Sequence, residues 1–108
     1  MMFYEFTAGD KSYKLRLTTR NIVALEKQIG CNPLMIFGNG DRVPTVMEMV
    51  SILHYSLQAY EHGYTMNDAY EVFDAFLADD HQVTDFISVI LEIYKVSGIL
   101  RNSDKEKN

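Results

Sequence analysis

The sequence predicts a mainly α fold: an N-terminal β-hairpin followed by a compact bundle of four main helices. Three observations carry that prediction. Apolar residues alternate on both sides of a Gly9-Asp10 turn signal, apolar residues recur at helical spacing in four later segments, and capping residues and glycines bracket those segments.

A two-residue turn at Gly9-Asp10 sets Phe6 against Tyr13, Tyr4 against Leu15 and Met2 against Leu17, and puts Glu5 opposite Lys14. One face is then apolar and the other carries a charge pair; a slip of one residue destroys both matches. A two-stranded ribbon is not stable alone in water, so its apolar face must lie on helices.

The first helix starts at a Thr18 or Thr19 cap, carries Ile22, Leu25 and Ile29, and closes at Gly30. Residues 31–43 form a loop broken by Pro33, Gly38 and Gly40, in which Leu34, Met35, Ile36 and Phe37 make a helical turn packed as a lid on the core. Thr45 and Glu48 have capping-box spacing, and the second helix is expected to run from there to Gly63. Thr65 and Asp68 open a third helix that ends near Asp79-Asp80. The fourth begins between Asp80, read as its N-cap, and Thr84, and stops at Gly98, with Ile99 supplying the contact of a Schellman end. Residues 1–100 read as one helical domain with its hairpin. Residues 101–108 hold no apolar side chain and are expected to be a flexible tail.

Composition narrows the function. The chain has 108 residues, 15 acidic against 10 basic, for a formal net charge of −5. No basic stripe is present to neutralise phosphates, which argues against nucleic acid and anionic membrane as partners. A single cysteine, Cys31, rules out an internal disulfide and suits a reducing compartment. The N-terminus lacks the basic-then-apolar pattern of a signal peptide, no stretch has the length of a membrane span, and a cytoplasmic location is expected.

The candidate chemical groups each have a plainer reading. His54, His62 and His81 share no helical metal-pair spacing. Asp79, Asp80 and His81 are adjacent, so on a helix they diverge; a solvated junction explains them better than a metal. Glu26, at the edge of an apolar stripe, is expected to pair with Arg16 or Arg20. No phosphate loop, dinucleotide fingerprint or nucleophile elbow occurs, and no acid, base and nucleophile come together. The sequence therefore predicts no enzyme, no cofactor and no metal, and directs attention to protein binding.

Surplus apolar surface on helices supports that direction. Val46, Val50, Leu53, Leu57 and Tyr60 form one stripe of the second helix, while Ile52, Tyr55 and Ala59 lie on its opposite side with Met47 on a flank. Met47, Ile52, Tyr55 and Ala59 are accordingly the candidate protein-binding residues, for self-association or for a client. The fourth helix is also apolar over most of its girth, but a position between the hairpin and the other helices accounts for it. Met35, Met47, Met49 and Met66 add adaptable, polarizable contacts.

With these elements in place, a family resemblance emerges. Residues 4–30, with the hairpin, KSYKLRLTTRNIVALEKQIG and then CNPL, resemble the tail assembly chaperones of siphovirus-type phages and prophages, including lambda-type and gene-transfer-agent relatives. PTVMEMVSILHYSLQAY, TMNDAYEVFDAFL and TDFISVILEIYKVSG continue the likeness over nearly the whole chain except the tail. The resemblance implies a non-virion holdase of the host bacterial cytoplasm that masks the tape measure protein until tail tube protein assembles around it. Self-association is an alternative use of the same surface, and a virion structural subunit such as a head–tail connector or tail completion protein is the rival function. The family often makes a longer product by frameshifting, and Glu106-Lys107-Asn108 can be encoded by a slippery run; a plain polar tail accounts for the same residues.

Overall fold

The computed structural model describes residues 2–101, so the tail expected to be flexible lies, from residue 102 on, outside the described residues. Strands β1 (Tyr4–Ala8) and β2 (Lys11–Leu15) precede helices α1 (Thr19–Ile29), α2 (Val46–Leu57), α3 (Met66–Ala78) and α4 (Phe86–Val96), with 3₁₀ turns at Pro33–Phe37 and Val83–Asp85. This is the hairpin and four-helix bundle that the sequence predicts.

The strands pair antiparallel with Tyr4 opposite Leu15, Glu5 opposite Lys14 and Phe6 opposite Tyr13. Gly9, at φ 66°, supplies the left-handed conformation the tight turn requires. Met2 and Leu17 lie beyond the paired residues. Phe6, Ala8, Tyr13 and Leu15 are buried on one face, as the alternation demands. Across the other face the Thr7 and Ser12 hydroxyls meet at 3.1 Å. Glu5 and Lys14 face each other but form no ion pair; the Lys14 ammonium lies over the rings of Phe3 and Tyr60 instead. The quadrupole of each ring attracts the ammonium.

The hairpin is held by an aromatic cluster. The Phe6 ring lies 5.4 Å from Phe76 of α3 and 5.8 Å from Phe86 of α4, and Phe86 lies 5.1 Å from Phe73. Where β2 leaves the sheet, the Arg16 N–H donates to Ser56 O at the end of α2, and the Arg16 guanidinium donates to Met2 O and Val96 O. The Leu17 N–H donates to Ser97 Oγ just past α4. Arg16 is thus taken up by carbonyls, and Glu26, partly buried, forms no ion pair with Arg16 or Arg20; the pair expected from sequence is not made.

Caps define the helix ends. Thr18 accepts from Asn21 N to open α1, and the reciprocal boxes Thr45/Glu48 and Thr65/Asp68 open α2 and α3. α4 closes as a Schellman motif: the Gly98 N–H donates to Lys95 O, the Ile99 N–H donates to Tyr94 O, and Ile99 packs on the core.

Two boundaries depart from expectation. α2 ends at Leu57 rather than Gly63. The Gln58 side-chain amide donates to both His54 O and Tyr64 O, folding the chain back after the last turn. Asp80 is not the cap of α4: it takes a left-handed φ of 65°, while Asp85 accepts from Gln82 N to start the 3₁₀ turn that leads into α4.

α2 is the central helix, packed against α1, α3, α4 and β2. Its body is buried from Glu48 to Leu53 and at Ser56 and Leu57, with His54 and Tyr55 partly exposed, so its two-sided hydrophobicity is largely consumed inside the fold. α4 packs on α2 and β1, as anticipated. The 3₁₀ turn at Pro33–Phe37 does act as a lid: Ile36 is fully buried, and Tyr94 Oη donates 2.9 Å to Pro33 O. Burial lifts the Tyr94 phenol far above its ordinary pKa, so it stays a donor.

Candidate functional site

The local chemistry of residues 32–48 explains an exposed apolar end. Asn32 Oδ1 accepts from Leu34 N and starts the 3₁₀ turn, whose buried side chains, Pro33 and Ile36, lie three residues apart. A turn of three residues per repeat cannot bury neighbouring positions together, so Leu34 and Met35 stay outside. The chain then reverses, and Arg42 clamps it. Its guanidinium donates to Ile36 O at 2.7 Å and forks onto both Glu48 carboxylate oxygens at 3.0 and 3.1 Å.

Glu48 is itself largely buried, and its Oε1 also accepts from Thr45 N at 2.9 Å. Burial pulls its pKa upward, but the Arg42 fork and the Thr45 amide outweigh that and hold the carboxyl below its ordinary value. The lid and the start of α2 are therefore one fixed unit. It presents Leu34, Met35 (56% exposed), Val43 (62%), Val46 and Met47 (46%) to solvent. Five large apolar side chains are thus exposed along 14 positions of sequence, on a segment held by an ion pair whose carboxylate is buried.

The four sequence-predicted residues divide. Met47 is exposed and belongs to this end; Tyr55 and Ala59 are partly exposed further along the chain. Ile52 is withdrawn: it is 0% exposed, and the packing of neighbouring elements around α2 leaves it no route to a partner. Of the other methionines, Met49 is fully buried and Met66 partly so. Sequence reasoning missed Leu34, Val43 and Val46. The available signal was their position: apolar residues flanking a capping box, or on a 3₁₀ turn too short to hide them.

The remaining polar groups have local roles. His54 Nε2 lies 3.1 Å from Tyr64 O, and burial lowers the ring's pKa, so the neutral ring donates to that carbonyl. His81 stacks on Phe76 at 4.1 Å. Cys31 packs partly buried against the core. Among the described residues no group of three or more His, Cys, Asp or Glu is placed to hold a metal ion. No helix among them is long and apolar enough to cross a membrane.

Fold and surface together define a small hairpin-plus-helices domain that exposes apolar side chains on its 3₁₀ turn and at the start of α2. The chain belongs to the family of unknown function DUF6096, whose family profile matches residues 5–108. No curated protein and no solved structure matches the chain.

Proposed function

We propose that this chain is a tail assembly chaperone of a phage or prophage, which binds the tape measure protein through its exposed apolar end and keeps it from aggregating until tail tube protein arrives. The observation that carries this reading is the rigid display of Leu34, Met35, Val43, Val46 and Met47. Unbranched, polarizable methionines among branched residues suit a client whose amphipathic helices vary in sequence along their length. The likeness of residues 4–30 and the later helical segments to such chaperones supplies the client's identity. Activity in the cytoplasm of the host and absence from the finished particle belong to the same reading.

Co-expression with the tape measure protein tests it. The wild-type chain should keep the client in the soluble fraction, and Met35→Asp with Met47→Asp should return it to the pellet. Equal client solubility with and without the chain would overturn the reading. Recovery of the chain as a stoichiometric component of purified particles would instead make it a virion structural subunit.

A further inference from the structure

The cations of this acidic chain are mostly accounted for. Arg16 serves carbonyls, Arg42 holds Glu48, Lys95 lies 3.4 Å from Glu92, and Lys11 and Lys14 lie over aromatic rings. Among the described residues, apart from Arg101, that leaves Arg20 and Lys27 without an acceptor. Both lie on the outer face of α1, one helical stripe with Val23 exposed between them, and they line a shallow groove that contains no carboxylate. The outer face of α3 has the opposite charge. Tyr70 is exposed there, with Glu71 and Asp74 beside it, and neither carboxylate has an ion-pair partner among the described residues. Arg20 and Lys27 flank Val23 at three and four residues, and Glu71 and Asp74 follow Tyr70 at one and four, so each exposed body has like charges beside it on one helix face. Each helix packs on α2, and α2 separates them.

We propose that the α1 face of one copy, through Arg20, Val23 and Lys27, docks on the α3 face of a second copy, through Tyr70, Glu71 and Asp74. Because the two faces lie on different sides of α2, the contact is head-to-tail and leaves an unused face at each end, so copies add in series or close a ring. The occupant is a second copy rather than an unrelated protein because the complementary charge pattern is present on the chain itself. The inference does not rest on the client-binding reading, since it uses neither the lid nor the start of α2.

Charge reversal in the full-length chain tests it, with sedimentation in low salt as the readout. Wild-type chain should associate with rising concentration and weaken in high salt, where the Debye length falls from about 10 Å at 0.1 M to about 3 Å at 1 M. R20E/K27E carries two acidic faces and E71K/D74K two basic ones, so each alone should associate at least ~tenfold more weakly. An equimolar mixture of the two should recover association, and so should one chain carrying all four substitutions. Recovery separates a lost contact from a lost fold, and helical circular dichroism checks each variant directly. A wild-type chain that remains monomeric in low salt, a reversed variant that associates as the wild type does, or a mixture that stays monomeric would each overturn the proposal.

Discussion

The first turn of α2 and the body of the same helix are equally apolar in sequence, yet they meet different fates. Val46 and Met47 face solvent, while Met49, Val50, Ile52, Leu53 and Leu57 are closed in by the neighbouring helices and β2. The border between the two is Glu48, fixed by Arg42 and the Thr45 cap. Hydrophobicity of a helix therefore does not separate a central helix from a binding helix. What separates them is whether other elements of the chain reach that turn, and at the N-terminal end of α2 the charged clamp takes the place of apolar cover.

That comparison is broken most forcefully from the enclosed side. Ile52→Ala should destabilise the fold by ~2–5 kcal/mol in chemical denaturation, because it leaves a cavity no neighbour can fill. A loss under ~1 kcal/mol would mean that the body of α2 is not the tightly packed centre described above. Tyr94→Phe follows, with an expected loss of ~1–3 kcal/mol from a buried Pro33 carbonyl left without its donor. Limited proteolysis should then cut the 3₁₀ lid sooner than in wild type, and an unchanged digestion pattern would uncouple lid from α4.

Glu48→Gln sharpens the border itself. The amide keeps an oxygen for the Thr45 N–H but loses the charge that Arg42 grips. Since the folded carboxyl titrates below its unfolded value, the stabilisation is present above the unfolded pKa and is lost as pH falls through the depressed folded pKa. Wild type should thus exceed the variant in Tm at neutral pH, and the gap should close in the acid range; a gap constant with pH would show that the charge is not what matters. The smallest effect belongs to the exposed side. Met35→Ser with Met47→Ser should shift stability by no more than ~0.5 kcal/mol each, while lowering binding of an apolar fluorescent dye. A large loss of stability would place those methionines in the core after all.

Hairpin register was legible because several apolar pairs and one charge pair constrain one alignment, and Tyr4 with Leu15, Glu5 with Lys14 and Phe6 with Tyr13 meet in it; the third apolar pair, Met2 with Leu17, is not made. The caps at Thr18, Thr45 and Thr65 were legible for a similar reason, being set by residues within one turn. The end of α2 was not. Gln58 reads as a good helix residue, and its clamp depends on Tyr64, which sequence alone does not place. Asp80 misled because an aspartate before a helix has two uses, as a cap or as a left-handed link, and local spacing fits either. Exposure was half legible. Met47 lies at the surface, as its flank position suggests, but Ile52 is enclosed because the helical period counts faces without knowing how many neighbours arrive.

Arg16 and Leu17 also carry a lesson about order in time. Their bonds to Val96 and Ser97 span 80 residues of sequence, and Phe6 waits for Phe86 over a similar distance. At ribosomal speeds of ~5–20 residues per second, the hairpin exists for roughly 4–16 s before the helix that seals it has been made. During that interval its apolar face has at most the cover of α2 and α3, and α2 still lacks its contact with α4. The fold therefore closes late, with α4, which makes the nascent chain a candidate for the same kind of protection that the finished protein is proposed to give.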